Sequence, residues 1–253
     1  MASVQFRAWW WVVAGVIALF LSNIPSPLSP AGWVAGVAYL VVSTVLVSVA
    51  LARHGAERFG PANVVTATRS MLIGVVTAVV VTSFTQPVPA GFLVALAIPT
   101  LALDAVDGWV ARRTRSESAL GARFDMEADA FLLLVLTMYD GRIVGWWILA
   151  IGLMRYLFVA AGLLFPRMRA QLPPRYWRKV VTAVCGIALV LVASGLLPSP
   201  FDVLAGAVAL GLLVESFGRD VIWLIRVNSS PRSLVSPAKV SASGGPDRKQ
   251  AHT

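Results

Sequence analysis

Long apolar stretches alternate with short breaks along most of the chain. We place eight of these stretches, each close to the roughly 20 residues that a helix needs to cross the hydrocarbon core of a bilayer. They lie near residues 8–23, 31–52, 63–84, 90–112, 121–139, 143–165, 178–197 and 202–225. Several breaks are rich in proline, which interrupts the hydrogen bonding of a helix. The pattern predicts an all-α integral membrane protein, a polytopic helical bundle of about eight spans.

The composition supports this class. Of the 253 residues, 58% are hydrophobic and only 13% are charged, which is about half the charged fraction of a soluble globular domain. Cys185 is the single cysteine, so a disulfide scaffold is excluded. The net charge of +9 reflects an uneven distribution of basic residues. Eight spans put nearly all loop arginines and lysines on the side of the termini and leave Arg142 on the opposite side. We therefore expect both termini in the cytoplasm, contact with membrane lipids, and no nucleic acid partner.

The two ends of the chain differ from its middle. Residues 1–60 are expected to form an N-terminal transmembrane hairpin and a cytoplasmic connector, and a signal peptide over residues 1–23 is the alternative for the first span. Gly32 and Gly36 form a small-xxx-small pair, which is typical of close helix packing. Residues 227–253 are rich in Ser, Pro, Gly and charge, and this composition predicts a disordered cytoplasmic tail.

Acidic residues are concentrated in one short segment. Six of the 12 Asp and Glu residues lie between Asp104 and Asp129. Asp104 and Asp107 are three residues apart at the end of the fourth span, and Asp125 and Asp129 are four apart at the start of the fifth, so each pair shares one helix face. The short connection makes the two helices antiparallel neighbours. We therefore expect four carboxylates to converge just inside the cytoplasmic boundary of the membrane.

Such a cluster needs a compensating cation. An Asp within a span costs about 2.5 to 3.5 kcal/mol on insertion scales, and like charges add to this cost. Ligand sets made only of oxygen favour a hard ion, so we expect Mg²⁺ or Mn²⁺; zinc is disfavoured because neither His54 nor His252 is near. The alternative role for these aspartates is capping or pairing with nearby arginines. Glu117 and Glu127 lie off the pattern and are interpreted as solvated or paired in that way.

At this point a family resemblance is visible. The segment resembles the signature of the CDP-alcohol phosphatidyltransferase family, D-x2-D-G-x2-A-R-x8-G-x3-D-x3-D. Its eight specified positions are filled by Asp104, Asp107, Gly108, Ala111, Arg112, Gly121, Asp125 and Asp129. Upstream, residues 61–69 look like the PN-xx-T-xx-R opening of the family, with one residue inserted between Pro61 and Asn63. The resemblance covers residues 61–226, a six-helix core, and leaves the N-terminal hairpin as an addition.

The resemblance implies a reaction of phospholipid biosynthesis. A phosphatidyl group passes from CDP-diacylglycerol to the hydroxyl of an alcohol, and CMP is released. The resemblance also implies that Asp104, Asp107, Asp125 and Asp129 hold two divalent ions, that Asp129 is the catalytic base, and that the protein forms a homodimer. The CDP-binding residues that it implies are Asn63, Thr66, Arg69, Gly108, Ala111, Arg112 and Gly121.

Further cations concern the acceptor. Arg155 lies in the middle of the sixth span, where an unpaired charge is costly, so we expect it to face a polar cavity or pair with an aspartate; snorkelling is the alternative. Arg175, Arg178 and Lys179 open the seventh span, and this region resembles, with departures, the GK-x-K-T element of phosphatidylglycerophosphate synthases. A basic pocket of these four residues suits a phosphorylated polyol, either glycerol 3-phosphate or inositol phosphate.

A transporter or ion-conducting protein is the alternative class, because acids within the membrane also mark ion pathways. The four aspartates are predicted at one membrane boundary, on two adjacent helices, rather than across the depth of the bilayer. This position favours the enzyme. A catalytically idle protein that retains the fold is a third class, which the intact signature disfavours.

Overall fold

The computed structural model of the protein describes residues 2–53, 61–114, 119–165 and 176–229, and all regular structure in these ranges is helical. The described α-helices are α1 (Ala2–Ser22), α2 (Pro30–Arg53), α3 (Pro61–Ser83), α4 (Ala90–Thr114), α5 (Ala119–Val144), α6 (Leu149–Leu164), α7 (Tyr176–Ser194) and α8 (Ser199–Ser229). A short 3-10 turn, Trp146–Ile148, leads into α6. The predicted all-α bundle is confirmed.

Five of these helices are long and apolar enough to cross a membrane. The segments that meet both conditions are Pro30–Val49, Val64–Ser83, Trp146–Leu164, Trp177–Ser194 and Ser199–Arg226. Shorter apolar stretches run over Trp10–Ser22 and Ala90–Val106. Large apolar side chains such as Phe20 and Leu163 are exposed on the outside of the bundle, as expected of a surface that faces lipid. The chain is an integral membrane helical bundle, and the count of eight spans stays a prediction.

The helix α3 lies at the centre of one half of the bundle. It packs against α1, α2, α4 and α5, and its side chains Ile73, Val76 and Val79 have no exposed surface. In the other half, α7 packs against α4, α5 and α8. The hydrophobic core is continuous across both halves, with Leu132 and Leu136 of α5 between them. The helices α3 and α7 therefore connect the elements that carry the acidic residues.

The N-terminal hairpin packs closely on α3. A Cβ atom added at Gly32 would clash with the hydroxyl oxygen of Thr82 and would lie 2.6 Å from the carbonyl oxygen of Ala78. The backbone N–H of Ser29 donates to the same hydroxyl at 3.1 Å. Gly36 is also tightly packed, since its added Cβ would lie 3.0 Å from the Cβ of Ala78. The small-xxx-small pair thus lets the backbones of α2 and α3 approach, as its spacing predicts.

Arg142 is anchored at the end of the bundle opposite the acidic segment. Its Nη1 donates to the carbonyl oxygen of Ser83 and, at 3.0 Å, to the hydroxyl of the same residue. The guanidinium also lies 5.4 Å from the ring centroid of Phe84. A cation here satisfies a carbonyl at the C-terminus of α3 and complements the negative end of the helix dipole.

Candidate functional site

Three of the four predicted aspartates meet at one point. One carboxylate oxygen each from Asp104 of α4 and from Asp125 and Asp129 of α5 lie within 4.8 Å of one another. The i, i+4 spacing on α5 places its two aspartates on one face, as expected. The three side chains are 38%, 31% and 22% exposed, respectively, so the cluster is reachable from outside the bundle.

The helices that carry these aspartates are arranged differently from the prediction. We expected α4 and α5 to be close neighbours, but within the described ranges they have at most marginal backbone contact. Both helices instead pack on α3 and on α7. The expectation of direct packing is therefore wrong, because a short connection fixes the distance between two helix ends and not the packing along the helices. The carboxylates converge at a junction of four helices.

Arg69 of α3 lies at the centre of this junction. Its Nη1 forms ion pairs with Asp104, at 3.0 Å, and with Asp125, and its Nη2 forms one with Asp129. The arginine side chain is only 2% exposed. Arg69 was predicted to contact the CDP moiety, and its pairing with the predicted metal ligands was not predicted. The available signal was its position within the apolar segment Val64–Ser83, since a buried arginine needs a carboxylate partner.

The charge and donor set of the site fit a divalent cation. When ionised, three carboxylates facing one guanidinium leave two negative charges among apolar helices, an arrangement that a hard cation compensates. All three ligand groups are carboxylates, which Mg²⁺ and Mn²⁺ prefer. Ligand oxygens on opposite sides of one Mg²⁺ lie about 4.2 Å apart. Oxygens that span up to 4.8 Å are thus close to the spacing that an ion requires.

Other predicted site residues lie near this junction or outside the described part of the structure. Thr66 is three residues before Arg69 on α3, and Gly121 is four residues before Asp125 on α5, so both lie one turn from the carboxylate cluster. The structure does not describe Arg175, the connector 54–60 or residues 230–253 of the predicted tail. It also leaves out the side chains of Asn63, Asp107, Ala111 and Arg112 and the surroundings of Gly108.

Arg155 pairs across helices with a glutamate. Its Nε donates to Glu127 Oε2 at 3.3 Å, and its Nη2 donates to the other oxygen of the same carboxylate. The expected partner was an aspartate or a polar cavity, and Glu127 was expected to be solvated or to pair with the arginines near it in sequence. Because Glu127 lies between Asp125 and Asp129 in the sequence, this ion pair holds Arg155 beside the acidic end of α5.

The two described cations of α7 are placed differently from each other. Arg178 Nη1 lies 3.4 Å from Asp220 Oδ2, and this carboxylate on α8 is only 4% exposed. Lys179 is exposed and lies close enough to Asp104 for their charges to interact. The short connection between α7 and α8 makes these helices antiparallel, so Asp220 near the end of α8 meets Arg178 near the start of α7. The charge of Lys179 thus acts on the carboxylate cluster.

Taken together, these features define a membrane-embedded helical bundle with an accessible, oxygen-only acidic site suited to a divalent ion. The family model described as CDP-alcohol phosphatidyltransferase matches residues 59–215, more than half of the chain. The chain belongs to the CDP-alcohol phosphatidyltransferase family, whose members transfer phosphatidyl groups in phospholipid synthesis with the help of divalent metal ions. The resemblance of the signature is thereby confirmed. Neither the curated proteins nor the solved structures compared with the chain gave a match.

Proposed function

We propose that this protein transfers the phosphatidyl group of CDP-diacylglycerol to the hydroxyl of a phosphorylated polyol and releases CMP. The observation that carries the proposal is the convergence of Asp104, Asp125 and Asp129 around Arg69, within a chain of this family. We further propose that Asp107 completes the ligand set and that two ions, Mg²⁺ or Mn²⁺, bind there. Bound ions would neutralise the diphosphate and the departing CMP.

The residues of the chain perform the proton transfer and the positioning. The acceptor oxygen attacks the phosphorus that carries the diacylglycerol, a new P–O bond forms, and the bond between this phosphorus and the CMP oxygen breaks. The proton of the acceptor hydroxyl passes to a carboxylate oxygen of Asp129, which we assign as the general base. Arg69 would stabilise negative charge on the diphosphate, because its guanidinium already lies among the carboxylates.

The donor would lie across the membrane boundary. We propose that Asn63, Thr66, Arg69, Gly108, Ala111, Arg112 and Gly121 contact its CDP moiety. The helix ends that carry these residues belong to α3, α4 and α5, which meet at the site. At this depth the acyl chains stay in lipid while the nucleotide stays in water. The hydrophobic effect thereby favours a donor pose in which both parts keep their preferred surroundings.

We propose that Arg155, Arg175, Arg178 and Lys179 bind the phosphate of the acceptor. The proximity of Lys179 to Asp104 and the position of Arg155 beside α5 support this assignment. Guanidinium groups bind phosphate oxygens in a bidentate manner, which a neutral or amino alcohol would not exploit. Glycerol 3-phosphate and inositol phosphate are the two acceptors that this chemistry favours.

The placement in the cell is also a proposal. We place the protein in a bacterial cytoplasmic membrane, as a homodimer, with its active site and both termini at the cytoplasmic face. The position of Arg142 at the far end of α5 supports this orientation, since the cation-poor end then faces away from the cytoplasm. The proposed division is a hairpin and connector at 1–60, a six-helix core at 61–226 and a tail at 227–253.

The proposal is tested with purified protein in lipid nanodiscs. The protein is given CDP-diacylglycerol, Mg²⁺ or Mn²⁺, and separately glycerol 3-phosphate, inositol phosphate, inositol, glycerol or serine, and both CMP release and the lipid product are measured. We expect turnover with a phosphorylated polyol and a requirement for the metal. Turnover with serine alone would overturn the acceptor assignment. Absence of CMP release with every acceptor would overturn the reaction and would favour the transporter alternative.

A further inference from the structure

The N-terminal hairpin lies outside the residues that the family model matches, yet it reaches the carboxylate site through one side chain. Tyr39 of α2 stacks on Phe131 of α5, with ring centroids 4.8 Å apart and an interplanar angle of 21°. Phe131 is two residues beyond Asp129 on α5, so the stacked rings lie within one turn of the helix segment that carries the aspartates. The hairpin therefore contacts one of the two helices that supply the aspartates.

The same side chain also contacts the helix that supplies Arg69. Its hydroxyl also lies close enough to Arg69 for their charges to interact. Its ring carbon Cδ1 is 3.4 Å from the Cβ position of Gly74, which is one turn further along α3. Leu40 packs still closer there, with a methyl carbon 3.0 Å from that position. Tyr39 is thus held between α3 and α5.

The position of Tyr39 matters for the site because Arg69 is buried and holds its ion pairs between the same two helices. Arg69 Nε is buried and has no hydrogen-bond partner among the described residues, so the terminal nitrogens make the ion pairs that hold the group. Any movement of α3 relative to α5 changes the distance between the guanidinium and the carboxylates. A rigid aromatic ring with few rotatable bonds is well suited to fixing such a spacing.

We propose that Tyr39 is a positioning residue that fixes α3 against α5, and thereby Arg69 against Asp125 and Asp129. The proposal rests on the proposed function of the site and gives the hairpin a role in it. Displacements of about 1 Å in a catalytic arrangement can reduce the rate about 100-fold, so a partial loss of this restraint should be measurable. The ring acts through the packing of α3 on α5 and does not touch the substrate.

The test is the substitution Tyr39→Leu in the full chain, in nanodiscs. The variant loses the ring that lies between Phe131 and Gly74, whereas Tyr39→Phe keeps the ring and should behave as wild type. In Tyr39→Leu we expect a kcat about tenfold lower, with the KM of the acceptor unchanged, because the effect operates on site geometry. Binding of Mn²⁺ without substrates, measured by calorimetry, should weaken about fivefold, since a less organised ligand set binds metal less well. Tyr139→Leu, on α5 at the far end of the bundle, is the matched control and should keep the kcat and the Mn²⁺ affinity of wild type.

A double-mutant cycle completes the test. If the ring acts through its contact with Phe131, then Phe131→Leu should give a loss similar to that of Tyr39→Leu, and the double variant should be little worse than either. Wild-type kcat and Mn²⁺ affinity in Tyr39→Leu would overturn the proposal, as would losses that simply add in the double variant. The Mn²⁺ measurement needs no substrate. It therefore still tests Tyr39 if the proposed transfer reaction fails.

Discussion

Carboxylates lie at both ends of the bundle, and their surroundings differ. At one end, Asp104, Asp125 and Asp129 share the guanidinium of Arg69 and are between 22% and 38% exposed. At the other end, Asp140 of α5 and Asp202 of α8 are 0% and 4% exposed, and they lie near enough for their charges to interact. Three of the four oxygens of this second pair have no hydrogen-bond partner in the described part of the chain.

The difference indicates that the first cluster can bind ions and a substrate, whereas the second pair has a structural role. The first cluster has a cation, an opening to the outside and spare negative charge, which together allow ions and a substrate to bind. The second pair is buried, and Arg142, two residues from Asp140, points to Ser83 and Phe84 instead. A carboxyl group in such surroundings is most stable when it is neutral. We therefore expect Asp140 to be protonated where α5 meets α8.

The largest effect should come from replacing one carboxylate at each end of the same helix. Asp129→Asn removes the proposed base and a metal ligand, and we expect kcat to fall about 1,000-fold or more while CDP binding persists. Asp140→Asn makes the same chemical change at the far end of α5 and should leave kcat within about twofold. CMP release and nucleotide binding are measured in both variants. Unchanged turnover in Asp129→Asn would remove this residue as the base.

A second variant tests whether Arg69 compensates the first cluster. Breaking a buried ion pair costs about 3–5 kcal/mol, a value that the partial exposure of these carboxylates reduces. We expect Arg69→Gln to lower the Tm by several degrees in EDTA, because three carboxylates then repel one another without the guanidinium that pairs with all of them. Added Mn²⁺ should raise the Tm of the variant more than that of wild type. Equal Mn²⁺ shifts in both proteins would show that the guanidinium does not offset the carboxylate charge.

Features that depend on residues close together in the chain were predicted from the sequence, and contacts between distant segments were not. The i, i+4 spacing of Asp125 and Asp129 and the apolar periodicity predicted one acidic face and the helical bundle, because both depend on residues close together in the chain. The meeting of Arg69 with these aspartates was not predicted, since it depends on α3 packing between helices that are distant from it in sequence. The meeting of Asp140 and Asp202 was not predicted either, because the fold brings them together across 62 positions.

A third variant examines the exposed ion pair beside the first cluster. Arg155→Ala should raise the KM of the acceptor about tenfold and that of CDP-diacylglycerol little, because a guanidinium–phosphate contact would be lost only on the acceptor side. Glu127→Gln keeps Arg155 in place without its ion-pair partner, and we expect an unchanged or lower acceptor KM. Initial rates at varied acceptor and donor concentrations give both constants. An equal rise of the two KM values in Arg155→Ala would assign this residue to structure.

The smallest effect is expected at the second pair, where it is informative because it is small. Asparagine has the shape of a neutral aspartic acid, so Asp140→Asn should change the Tm at pH 7 by no more than about 2 °C, or raise it. If Asp140 is instead ionised and binds a cation, the substitution removes a ligand of that cation and should lower the Tm strongly. Thermal unfolding with and without added Mn²⁺ distinguishes the two cases. A large loss of stability would mean that this end of the bundle also stores charge, and the contrast between the two ends would then fail.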